Sequence, residues 1–111
     1  MADYQVGAQL YTVREFTQTA EGMRDALRRV AEIGYRAVQV SGFGSLDPKE
    51  VGQALRDYGL DCVSTHTAWE RFQNDLDAVI EEHRMWGCPH PAIGGLPKEY
   101  YSLDGLKRFA D

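Results

Sequence analysis

His66 is the residue whose type and setting most invite chemistry. It closes the stretch 61–66, two positions after Ser64, and Trp69 follows three positions on. An imidazole there can ligate a divalent metal, move a proton or hydrogen-bond a ligand hydroxyl; it can equally be a satisfied structural histidine. Gln39 and Ser41 lie two apart near the end of another apolar stretch, as Gly7, Gln9 and Tyr11 do near the start of the chain. Tyr11, Phe43 and Trp69 can form an apolar wall for a sugar face or ordinary packing under loops. Arg14 can hold an anion or make a loop salt bridge. No Asp or Glu ends any of these stretches, although a hard metal needs several oxygen ligands.

Other arrangements carry less. Ser41-Gly42-Phe43-Gly44 lacks the third glycine of a dinucleotide fingerprint and does not match a phosphate loop. No nucleophile elbow surrounds Ser64. His83 falls on a helix, at its surface or against a sheet, and His90 falls before a strand, at the sheet's amino-terminal end. Cys62 and Cys88 have neither metal spacing nor a disulfide framework; two free thiols fit a cytoplasmic chain.

Elements that position these residues are legible from period and punctuation. Strands are expected at 6–13, 37–41, 61–66 and 91–95, their starts about 24 to 31 residues apart, close to the roughly 30-residue βαβ unit. Helices are expected between them. The first covers 20–33, with Thr19 as cap and Gly34 beyond its end. The second starts at Asp47-Pro48-Lys49-Glu50 and stops at Gly59; the third covers 70–86 and stops at Gly87. Ser102 caps a fourth, with Leu103, Leu106 and Phe109 at helical spacing, which runs to Asp111 without a glycine or a following strand. That asymmetry is expected of a cut inside a repeating architecture, or of a short helix closing a small four-stranded domain. Alternation assigns Cys62, Ser64 and His66 to one face of the third strand, with Val63 and Thr65 on the other. The aliphatic faces meet the helices, and the polar faces line something wet at the carboxyl ends of a parallel sheet.

Composition limits the function classes. The 111 residues carry 12 basic and 17 acidic side chains, 43% hydrophobic residues and a formal charge of −5. This is the composition of one globular domain, 1–111, and it argues against a phosphate-backbone binder. No apolar run reaches the ~18 residues of a membrane span, and the first fifteen residues lack a signal-peptide layout. Neither nucleic acid nor membrane is expected as a partner.

Three segments together, VGAQLYTVRE, RRVAEIGYRAVQVSGFG and LRDYGLDCVSTHT, resemble the xylose isomerase-like TIM-barrel family over residues 5–95. That family comprises sugar phosphate isomerases and epimerases and their relatives, including ketose 3-epimerases, inosose dehydratase and the endonuclease IV group. The resemblance implies an α/β fold of four βα units with parallel strands, the N-terminal half of a (β/α)8 TIM barrel. It implies a cytoplasmic, metal-dependent sugar or sugar phosphate isomerase or epimerase acting on a ketose or cyclitol. The divalent metal, Mn, Mg, Co or Zn, is held by strands five to eight, so this segment holds none alone and supplies no catalytic residue. Tyr11, His66, Trp69 and Gln39 are the implied substrate-binding positions; Gln39 stands where many relatives have Glu. The implied partner is the remaining half of the barrel or a second copy. The alternative is a non-catalytic half-barrel that self-associates into a closed barrel. An endonuclease-like relative is a minor third reading.

Overall fold

The computed structural model describes residues 5–111. Strands β1 (Gly7–Gln9), β2 (Ala37–Val40), β3 (Asp61–His66) and β4 (Pro91–Ala92) alternate with helices α1 (Ala20–Ile33), α2 (Pro48–Asp57), α3 (Trp69–Asn74), α4 (Leu76–Trp86) and α5 (Leu103–Ala110). The strands form one sheet in the order β1-β2-β3-β4, and all three pairings are parallel. This is the progression of a barrel wall, each strand laid beside its predecessor after a helical crossover.

Local chemistry sets the helix boundaries. The Thr19 hydroxyl accepts from the Gly22 amide, the Asp47 carboxylate from the Lys49 amide, and the Ser102 hydroxyl from the Gly105 amide. Each satisfies an amide that the first turn leaves without a partner. At the far ends Gly34, Gly59 and Gly87 take positive φ, as the stop signals require. The core lies between the sheet and helices α1, α2 and α4. Met23, Leu27, Val38, Val51, Leu55 and Val79 are buried there. Each apolar side chain removed from water contributes about 1.5–3 kcal/mol.

The structure corrects the expected elements in four places. The first strand ends at Gln9, not at residue 13, and Leu10–Phe16 forms 3-10 turns. Beyond Gln9 the chain turns so that Leu10 enters the core, and the Thr17 carbonyl accepts from the Gly44 amide. The expected helix 70–86 is two helices separated at Asp75, whose φ of −146° leaves the helical region. Asn and Asp favour such exits because their side chains compete with the helical backbone. The fourth strand is two residues long rather than five.

The fourth correction concerns facing. Val38 pairs with Cys62, but the next residue, Gln39, pairs with Ser64, so the β2–β3 register shifts by one. This irregularity breaks the alternation. Cys62 joins Val38 in the helix-side core, while Val63 turns inward, its Cγ2 only 3.7 Å from where a Cβ on Gly7 would stand. Ser64 and His66 keep the expected inner face, and Thr65 the helix side.

Candidate functional site

Beyond Gln39 and Val63 the parallel register brings three polar side chains together at the carboxyl ends of β2 and β3. Gln39 Nε2 lies 3.2 Å from His66 Nε2, and Ser41 Oγ lies 3.0 Å from His66 Nδ1. An amide nitrogen only donates, so His66 Nε2 is the acceptor and the proton sits on Nδ1, which donates to Ser41 Oγ. The Ser64 hydroxyl accepts from Gln39 Nε2 at 3.5 Å and donates to the His90 carbonyl at 3.1 Å. The imidazole is thus held at both nitrogens by neutral groups, its tautomer set by its neighbours.

Glycine and tyrosine complete the surroundings. A Cβ on Gly94, just past β4, would stand 3.2 Å from His66 Cγ, so a side chain there would crowd the imidazole. Tyr11 reaches the same space from the 3-10 turn after β1; its ring packs against Gly42, with the Arg14 guanidinium 4.2 Å above it. Arg14 also donates to the Tyr11 carbonyl at 2.9 Å, so it braces the tyrosine. Among the described residues Arg14 forms no ion pair.

These groups border a cleft of about 490 Å³ lined by Tyr11, Ser41, Gly42, His66, Thr67, Ala68, Gly94 and Gly95. Its lining contains no charged side chain. A second cleft of about 630 Å³ shares Ser41, Gly42, His66, Thr67 and Ala68 and extends outward toward α2 and α4. Its outer wall includes an ion pair linking α3 to α4: Arg71 donates through both terminal nitrogens to Glu82, at 2.8 and 2.9 Å. The Glu82 carboxylate, only 15% exposed, holds the Arg71 guanidinium above its ordinary value.

Behind the inner face a second histidine anchors β3. His83 Nδ1 donates to the Val79 carbonyl at 2.7 Å, and its Nε2 accepts from the Thr65 hydroxyl at 2.7 Å. Thr65 is also 3.2 Å from the Thr67 hydroxyl. This is the helix–sheet packing role expected of His83. It pins Thr65, the residue between Ser64 and His66, and so fixes the direction from which His66 projects.

Of the four implied binding positions, Tyr11, Gln39 and His66 meet here. Trp69 stands apart: its ring packs 4.8 Å from Phe109 and 6.1 Å from Tyr100, under α5. Ser41 was missed as a site residue, although its spacing from Gln39 already placed both on one face of β2. Arg71 and Glu82 fall on one uninterrupted helix in the sequence reading, and only the break at Asp75 brings them together.

The donor set bears on a metal. Among the described residues no three His, Cys, Asp or Glu side chains come together. One imidazole, one amide and two hydroxyls without a carboxylate do not fit the coordination of a divalent cation. No helix of the described residues is long and apolar enough to cross a membrane.

No family model and no curated protein matches the chain. Among solved structures it is similar to a xylose isomerase-like TIM barrel/4-hydroxyphenylpyruvate dioxygenase fusion protein, with a TM-score of 0.55 and 15% identity. The match covers 85% of this chain and 18% of that one. At this identity the likeness shows the fold: four parallel strands alternating with helices, as in half of a (β/α)8 barrel.

Proposed function

We propose that this chain forms the sugar-binding part of a barrel enzyme of the isomerase or epimerase type, and that the inner cleft beside His66 takes a hydroxyl-bearing carbon of a ketose or cyclitol. The observation that carries this reading is the neutral Gln39–His66–Ser41 array opening on an uncharged cleft at the carboxyl end of the sheet. Hydroxyl groups both donate and accept. A sugar hydroxyl can donate to His66 Nε2 in place of the Gln39 amide, leaving that amide to donate to a neighbouring hydroxyl. Tyr11 supplies an apolar surface for the sugar's C–H face.

Proton transfer and any Mn, Mg, Co or Zn ion belong, in this proposal, to residues outside these 111. No catalytic residue is assigned within them. A sugar is favoured over a sugar phosphate for the inner cleft because no cation lines it. Saturation-transfer NMR of the chain with a panel of ketoses, cyclitols and their phosphates tests the proposal. Binding of neutral sugars that falls at least ~10-fold in His66→Ala supports it, the loss expected when one well-placed hydrogen-bond partner goes. Equal binding by wild type and variant, or selective binding of inorganic phosphate, overturns it.

A further inference from the structure

The parallel register brings together two thiols that lie far apart in the sequence. Thr65 pairs with Pro91, and one residue earlier the Ser64 hydroxyl reaches the His90 carbonyl at 3.1 Å. Followed back along both strands, this alignment lays Cys88, in the turn after α4, beside Cys62 near the start of β3. Neighbouring strands run about 4.8 Å apart, and a disulfide spans Cα separations of about 4.4–6.8 Å. Both cysteines are free, at 3% and 7% exposed, and both belong to the core cluster on the helix side of the sheet. The thiols lie close enough that Cys88, after burial, helps to push the Cys62 thiol upward.

The surroundings suit a bond between them. Cys62 directs its thiol proton at the Ser64 carbonyl, 3.4 Å away. Burial disfavours a thiolate on Cys62. A dithiol whose thiolate is not stabilised is a good electron donor, so its disulfide, once formed, resists reduction. A cleft of about 480 Å³ between α2 and α4 is lined by Cys62 and by Gly87 and Pro89, on either side of Cys88. It gives a small oxidant a path to the pair.

We propose that Cys62 and Cys88 form a redox-convertible dithiol, which a peroxide oxidises to an intramolecular disulfide tying the fourth βα unit to β3. Cys88, the more exposed of the two, reacts first. Its thiolate sulfur attacks one peroxide oxygen and the O–O bond breaks. The other oxygen leaves as hydroxide and takes up the thiol's proton as water, and Cys88 becomes a sulfenic acid. The Cys62 sulfur then attacks the Cys88 sulfur. The S–O bond breaks, hydroxide leaves as water with the Cys62 proton, and the S–S bond forms. Two thiols and one hydrogen peroxide become one disulfide and two waters, with two electrons passing to the peroxide. The tie bears on the inner cleft. β4 meets β3 through two register pairs, and Pro91 in the first has no amide proton to donate. Gly94, just past β4, stands against His66. A bond at Cys88 therefore fixes the segment that carries Gly94 to this position. The proposal does not rest on the sugar-binding reading.

Hydrogen peroxide treatment of the folded chain, followed by alkylation under denaturing conditions, tests it. The expected product, whatever oxygen its methionines have gained, takes up no alkylating reagent and yields on proteolysis one cross-linked peptide holding Cys62 and Cys88. Its Tm lies at least ~5 °C above that of the reduced chain, and dithiothreitol restores both thiols and the original Tm. Cys62→Ser and Cys88→Ser, verified as folded by circular dichroism, give no such peptide and no rise in Tm. Thiols that go on to sulfinic acid, that bridge two chains, or that join only in the denatured chain overturn the proposal, as does a disulfide that leaves Tm unchanged or lowers it.

Discussion

Thr65→Val isolates the contact that holds β3, and with it His66, in place. The substitution keeps the side-chain shape and removes one hydroxyl. Thr65 is 1% exposed, and its hydroxyl donates to His83 Nε2 at 2.7 Å. His83 is itself buried, and its other nitrogen is committed to the Val79 carbonyl. Removing the hydroxyl therefore costs the bond to His83 and the one shared with Thr67 and leaves a buried nitrogen unpaired, at least about 2 kcal/mol together. For a chain of 111 residues the unfolding entropy is about 0.23 kcal/mol/K, so Tm falls by at least about 9 °C. Differential scanning calorimetry at neutral pH reads this directly. Thr65→Val with His83→Leu removes both partners and recovers at least ~1 kcal/mol relative to the sum of the single changes. A fall of less than ~3 °C for Thr65→Val, or strict additivity in the double variant, refutes the claim that this pair anchors the strand.

Two further outcomes concern the fold. A Cβ on Gly44 would meet the Gln18 carbonyl oxygen, so Gly44→Ala should displace the loop after β2 and cost about 1–3 kcal/mol, measured by urea denaturation. The Cys62 thiol is pushed up to about 12, first by burial and second by the adjacent Cys88 thiol. It should alkylate at pH 8 at least ~100-fold more slowly folded than unfolded. Because its folded value lies above the ordinary 9.0, its contribution to stability is complete below pH 9 and is lost as pH rises from there toward 12. Cys62→Ala should flatten that part of a Tm–pH profile.

Much of this architecture was legible because it is written locally. Thr19, Asp47 and Ser102 cap helices by bonds to amides two or three residues away, and the helix stops need only a positive φ at glycine. The parallel order follows from strands alternating with helices. His66, Gln39 and Tyr11 were placed at one end of the sheet by the same reasoning. What escaped depends on neighbours distant in sequence. The side on which Cys62 lies is decided by a register shift against Val38, and alternation within β3 contains no trace of it. β1 ends where Leu10 turns into the core and the Gly44 amide holds the Thr17 carbonyl, and its own apolar pattern contains neither contact. Trp69 has the right spacing from His66, but Tyr100 and Phe109, some thirty to forty residues later, draw its ring away from the cleft.

The most direct measurement is the imidazole NMR spectrum of His66 during titration with a neutral ketose. His66→Gln identifies its signals. The free protein should show the ring proton on Nδ1, beside Ser41, with Nε2 shifting as sugar displaces the Gln39 amide and with the His83 signals unmoved. Sugar binding that shifts other residues while both His66 nitrogens stay fixed would contradict the account.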